Sequence, residues 1–292
     1  MHLFTIRDIE NLSGIKAHTI RIWEQRYSFL KPHRTDTNIR HYNNEELKKI
    51  LNVALLNKYG YKISHIDRMS NDEIMEKILS LSQAQAQQER IISELIQHMA
   101  DLNMDRFEAT LDNYILARGV EKAIIYIIFP FLERIGILWQ TNHINPAQEH
   151  LVTNIIRQKL IAGIESTISH ITINKTALLF LPEGERHELG LLYVNYLFKS
   201  RGAKVLYIGA DAPLKDIFYV VKLKKPDFVY THLTSVASDF NFEKFLNNLH
   251  SHIPEVPVII SGEITQSYRR KIPSGISFRK SLSEVMEYVA IL

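Results

Sequence analysis

The spacing of apolar positions changes twice along the 292 residues. From Phe4 to about Met69 the segments are short, polar and punctuated by turns. Ile6, Ile9 and Leu12 fall on one face of a first helix, Ile6 to Leu12, which Thr5 can cap. Ser13-Gly14 turns the chain into a second helix, Ile15 to about Arg26. Pro32 disfavours helical backbone at Lys31, so the helix cannot continue there. Arg34 to Tyr42 then reads as a small β-hairpin, and Glu45 to about Tyr59 as a third helix.

From about Asn71 to Asn174 the period is helical. Ile91, Leu95 and Met99 recur four residues apart, as do Ile124, Ile128 and Leu132. Breaks near Asn103, Gly119 and Asn142–Pro146 predict a bundle of four or five helices, closed by a helix from about Ala147 to Ser169. From Thr176 onward five short branched and apolar runs alternate with helical stretches: Ala177–Leu181, Lys204–Ile208, Asp227–Thr231, Val256–Ser261 and Ile276–Phe278. That alternation predicts a parallel sheet covered on both faces, a doubly wound, Rossmann-like α/β fold. Ligands on such sheets bind at the carboxyl ends of the strands, near the switch point. The expected organisation is therefore multi-domain: a head at 1–70, a helical bundle at 71–174 and an α/β domain at 175–292.

Composition narrows the partners. The chain has no cysteine, which excludes disulfides, thiolate zinc sites and cysteine nucleophiles and agrees with a reducing cytoplasm. The first residues, MHLFTIRDIE, carry charges where a signal peptide needs an apolar core. The stretch Ala123–Leu132 is about half a membrane span and contains Pro130. A cytoplasmic protein with no membrane partner is expected. Net charge is +3, but residues 1–70 hold 12 Lys/Arg against 7 Asp/Glu, and the remainder 23 against 25. A basic head on a slightly acidic body points to an anionic polymer held at one end.

Helix, turn, helix, hairpin, helix is the layout of a winged helix-turn-helix. Its recognition helix needs short polar or basic residues near its start, where base edges lie within reach; Lys16, His18, Thr19 and Arg21 fit. Arg34, Asn38 and Arg40 on or beside the hairpin can reach phosphates or the minor groove. Trp23 and Tyr27 share a face with Ile20 and read as core. The run Thr19-Ile20-Arg21-Ile22-Trp23-Glu24-Gln25-Arg26-Tyr27, with Leu30–Arg34 and Ile39-Arg40-His41-Tyr42, resembles the MerR-type winged helix over Phe4 to about Ile66. The resemblance implies DNA contacts for Arg21, Arg34, Arg40 and Tyr42, and binding of a two-fold operator by a homo-oligomer, dimer or tetramer. No heptad run follows the head, so self-association is expected from the later segments.

Leu181-Pro182-Glu183-Gly184-Glu185-Arg186-His187-Glu188-Leu189-Gly190 leaves the first strand of the α/β domain for a helix. Glu185 can hold one nitrogen of His187 and free the other for a metal, and Gly190 permits close approach. This stretch resembles the Asp-X-His-X-X-Gly fingerprint of cobalamin-binding domains, with glutamate for aspartate. Thr231-His232-Leu233 resembles the family's Ser-X-Leu element, and Ser261-Gly262 its Gly-Gly, small residues past which the nucleotide tail slides. The resemblance implies His187 as the cobalt ligand.

Trp139, nine residues, then Glu149-His150 resembles the signature of the light-sensing CarH and LitR regulators. It implies that the bundle caps adenosylcobalamin, with Trp139 over the adenosyl group and Glu149 and His150 near its ribose. Gln140 stands where photoreceptors of this type place a second, light-state histidine ligand. The leading expectation is a cobalamin-controlled DNA-binding repressor or activator that needs no catalysis, with Gln140 leaving open whether it responds to light. Two alternatives stay open: a MerR-type regulator with a degenerate sensor acting through RNA polymerase or a regulatory protein, and a corrinoid enzyme module such as a methyltransferase. Against the latter, no substrate barrel fits into 292 residues.

Overall fold

A computed structural model describes residues 3–35, 38–81, 83–140, 145–167, 169, 172–234, 236 and 240–291, with the side chains of 137–140 set aside. By packing, the chain divides into two compact units, Met1–Ile156 and Arg157–Leu292.

The first unit is helical. Helix α1 (Ile6–Ser13) begins at Thr5, whose hydroxyl and amide form a reciprocal capping box with Asp8, and ends at left-handed Gly14. Helix α2 (Ala17–Arg26) follows, then strands β1 (His33–Arg34) and β2 (Arg40–His41), paired antiparallel. The hairpin is tied to the start of the chain by two hydrogen bonds between Phe4 and Tyr42. Helix α3 (Asn44–Lys58) opens on a second capping box, Asn43 with Glu46. Helix α4 (Ile63–Ile66) is one turn, and α5 (Asn71–Leu79), α6 (Ala84–Ala100) and α7 (Met104–Arg118) follow.

A short α8 (Val120–Ala123) runs through a π turn, Ile124–Ile128, into α9 (Phe129–Gln140). Pro130 explains the turn. Its ring cannot donate and would strike the carbonyl one turn back, and the extra residue, with Phe129 N–H bonded to the Ile124 carbonyl, moves that turn out of register.

The bundle is thus continuous with the head rather than separate from it. The Asn44 amide donates to the Ala100 carbonyl (3.0 Å) and to the Asp101 carboxylate (2.8 Å). Buried Gln148, in the first turn of α10 (Pro146–Glu165), donates to the Met99 carbonyl (3.0 Å). The division between units falls within α10.

The second unit carries a five-stranded parallel sheet: β3 (Thr176–Pro182), β4 (Lys204–Ala212), β5 (Phe228–His232), β6 (Val258–Ser261) and β7 (Ile276–Arg279), in the order β4-β3-β5-β6-β7. Helices α11 (Leu189–Ser200), α12 (Leu214–Lys224), α13 (Phe242–His252), α14 (Ile264–Ser267) and α15 (Leu282–Ala290) alternate with the strands. One face buries Leu178, Phe180, Val229 and Leu233 with Ile217, Phe245 and Leu249 of α12 and α13. On the other, Phe198 of α11 meets Tyr230 edge-on at 5.8 Å, and Phe228 meets Tyr288 of α15. Because β4 and β5 flank β3, the switch point lies between the ends of β3 and β5. The five expected strands are all present. Among the described residues no helix is long and apolar enough to cross a membrane.

Candidate functional site

In the head, His18 and Arg21 stand exposed on α2, Thr19 is half-buried, and exposed Lys16, at the N-terminus of α2, pairs with Glu10 at 3.2 Å. Arg21 lines a groove of about 200 Å³ with Thr5, Ile6, Asn38, Ile39 and Arg40. Asn38 holds a left-handed turn (φ 63°) and accepts from Arg34 at 2.8 Å.

Glu24 organises both hairpin arginines, a role that its place in the sequence does not announce. Its Oε1 accepts from Arg34 Nη2 and its Oε2 from Arg40 Nε, each at 2.6 Å. A carboxylate between two guanidinium groups fixes the hairpin to the recognition helix and sets where the two positive charges point. The available signal was that Glu24 is the sole acid of α2. Tyr42 departs from expectation. It is fully buried rather than presenting its ring to DNA, and burial pushes its hydroxyl up to about 12. Trp23 is core, as expected.

At the carboxyl end of the sheet, Glu185 is fully buried. Its Oε1 accepts from the His187 N–H (2.8 Å) and lies 2.7 Å from His187 Nδ1; its Oε2 accepts from the Thr234 N–H (3.0 Å). A carboxylate facing Nδ1 keeps the ring proton there and leaves the Nε2 lone pair for a metal. The His187 side chain is 55% exposed. The loop bearing it is anchored by Asp211, left-handed at the end of β4, which accepts from Gly184 N–H (2.8 Å) and Arg186 (3.0 Å). Those two contacts, the Gly184 amide foremost, hold the Asp211 carboxyl below its usual range.

The other expected residues separate onto two faces. Strand alternation sends Thr231 and Leu233 to the α12–α13 side and His232 to the α11 side. Leu233 is core. Thr231 is fully buried, and its Oγ1 has no hydrogen-bond partner among the described residues. Gly262 (φ 105°) is a glycine of necessity: a Cβ there would stand 2.1 Å from the Leu233 carbonyl oxygen. A Cβ on Gly190 would stand 2.3 Å from the His232 ring, whose Nδ1 lies 2.7 Å from Ser261 Oγ. The close approach that Gly190 permits is that of His232.

In the helical unit Glu149 is half-buried and His150 exposed in the first turn of α10. Trp139 and Gln140 end α9, their side chains outside the described residues. Among the described residues no group of three His, Asp or Glu could hold a bare metal ion. A single exposed histidine suits a metal already held by a macrocycle.

Comparison with known proteins matches the head and the helical bundle. Residues 4–73 match the MerR HTH family regulatory protein profile, and residues 91–162 match the B12 binding domain profile. The chain is 27% identical to the HTH-type transcriptional repressor CarA of Myxococcus xanthus over 284 residues, covering 96% of this chain and 94% of that protein. It is 25% identical to the HTH-type transcriptional repressor CarH of the same organism, covering 91% of each. The monomethylamine corrinoid protein of Methanosarcina barkeri shares the fold at 13% identity, with a TM-score of 0.52, over 70% of this chain and 99% of that one. Profiles on head and bundle, with relatives matched almost end to end, agree: the chain is similar to the CarA and CarH transcriptional repressors, with a MerR HTH match in its head and a B12 binding domain match in its bundle.

Proposed function

We propose that this chain is a transcriptional repressor whose grip on operator DNA is set by bound cobalamin, in its adenosyl form. The observation that carries the reading is the Glu185–His187 pair at the switch point: a buried carboxylate holds Nδ1 of an exposed imidazole. Imidazole is a good ligand for cobalt. The orphaned Thr231 hydroxyl at the end of β5 is a further polar group able to serve a ligand.

Bound adenosylcobalamin supplies a photolabile cobalt–carbon bond. The chain's own residues do the rest. His187 would ligate the cobalt, and the Trp-X9-Glu-His signature would assign Trp139, Glu149 and His150 to the adenosyl group. His18, Thr19 and Arg21 read the major groove, while Arg34 and Arg40, aimed by Glu24, take phosphates. Regulation needs no catalysis. A ligand that favours one homo-oligomeric state over another changes how many heads engage the operator together, and loss of that avidity alone is worth about 10²–10⁴-fold.

The test is an absorption spectrum of the full chain after incubation with adenosylcobalamin and desalting, then size-exclusion chromatography in the dark and after illumination. A retained corrinoid spectrum, lost in His187→Ala, supports the sensor. Equal retention by wild type and variant refutes His187 as the ligand, and identical elution in dark and light refutes light as the signal.

A further inference from the structure

His232, the unassigned middle residue of Thr231-His232-Leu233, lies where two pieces of the corrinoid reading meet. It ends β5 beside β3, at the switch point. Its Nδ1 lies 2.7 Å from Ser261 Oγ, which lies 2.6 Å from the hydroxyl of fully buried Tyr230. The opposite edge of the ring presses on the first turn of α11, where a Cβ on Gly190 would come within 2.3 Å of Cδ2 and 2.4 Å of Nε2. No side chain tolerates such a contact, so the clearance that Gly190 provides is taken up by the imidazole. Ser261, the second small position, is taken up as its hydrogen-bond partner. Burial holds the ring's pKa down at about 4, so it sits there neutral. Turning it out would strip Ser261 of a partner inside the fold, which is unfavourable.

We propose that His232 closes the groove a nucleotide arm would enter and is the specificity-determining residue of this site: the chain holds a corrin ring through His187, leaves the lower nucleotide arm outside, and takes a corrinoid lacking that arm as readily as complete cobalamin. The inference rests on the corrinoid reading of the Glu185–His187 pair. A glycine at 232 would reopen the groove between Gly190 and Ser261, whereas the wild-type ring makes the arm irrelevant to affinity.

The experiment titrates the full chain with aquocobalamin and with diaquocobinamide, which has the ring but no arm, monitoring the absorption change on imidazole ligation. Wild type, His232→Gly and the milder His232→Ser are compared, with circular dichroism to show that each is folded. Wild type is expected to bind the two corrinoids within about threefold of each other, and His232→Gly to gain about tenfold or more for cobalamin alone, with His232→Ser between. A wild type that prefers cobalamin by about tenfold, or variants that leave the ratio unchanged, would overturn the assignment of His232 while leaving the sensor intact. Binding of neither corrinoid by wild type would instead overturn the corrinoid reading, and the role of His232 with it.

Discussion

Replacing Glu185 with glutamine keeps the shape of the side chain and removes its charge, at a position where both matter. Among the described residues the carboxylate meets two donors on His187, at 2.7 and 2.8 Å, and the Thr234 N–H at 3.0 Å. An amide offers one oxygen and one NH2. Turned the better way, the oxygen keeps His187 and the NH2 opposes the Thr234 N–H, donor against donor. Glu185 is fully buried, so water cannot take over the lost bond. That loss costs about 1–3 kcal/mol, part of which is offset because a buried charge no longer needs compensation. Affinity is therefore the sharper readout. His187 loses the anion that keeps the proton on Nδ1, and support of that kind is worth about 10–100-fold in metal binding. Titration of wild type and Glu185→Gln with aquocobalamin, monitored by absorption, should show a loss in that range with far-UV circular dichroism unchanged. Affinities within about twofold of each other would refute the orienting role.

The head, the strand ends and the buried imidazole each give a further expectation. Arg21→Ala should weaken binding to a selected operator by about 1–3 kcal/mol at fixed salt, while Glu24→Gln, which frees Arg34 and Arg40, should lower the operator-to-random ratio about tenfold without weakening random DNA; fluorescence anisotropy that finds neither change refutes the interface. Gly262→Ala forces a Cβ against the Leu233 carbonyl at positive φ and should cost about 1–3 kcal/mol in denaturant unfolding. His232 drops from an ordinary 6.5 to about 4 on folding, chiefly by burial, with Glu185 opposing the drop and Tyr230 and Ser261 as its neutral neighbours. The unfolded chain then binds the extra proton, so this stability is present above pH 6.5 and is lost as pH falls toward 4, by up to about 3 kcal/mol; a pH–stability curve equally steep in His232→Gln would contradict it.

What the sequence disclosed was local. Thr5 with Asp8 and Gly14 bracket α1 within a few residues, and the branched runs placed every strand of the five-stranded sheet. Ends moved where backbone exceptions allowed. β4 runs to Ala212 rather than Ile208 because Gly209 (φ 94°) and Asp211 (φ 58°) let the strand bend past a register shift opposite Phe180. The Glu185–His187 pair was legible because it spans two residues. Long-range facts were not. Glu24 reaches Arg34 and Arg40 across the hairpin, Tyr42 pairs with Phe4 and is buried, and Gly190 answers to His232 on another strand. That Thr231 and Leu233 face away from His232 comes from strand alternation alone, once the strand is known to end at His232.

The central claim is that one chain couples cobalamin to DNA, and linkage makes it measurable in one titration series. Binding of full-length protein to an operator fragment, in the dark, with and without one equivalent of adenosylcobalamin, should give apparent Kd values differing by about tenfold or more for wild type and by nothing for His187→Ala. Superimposed wild-type curves, in samples whose spectra show the cobalamin bound, would contradict the account.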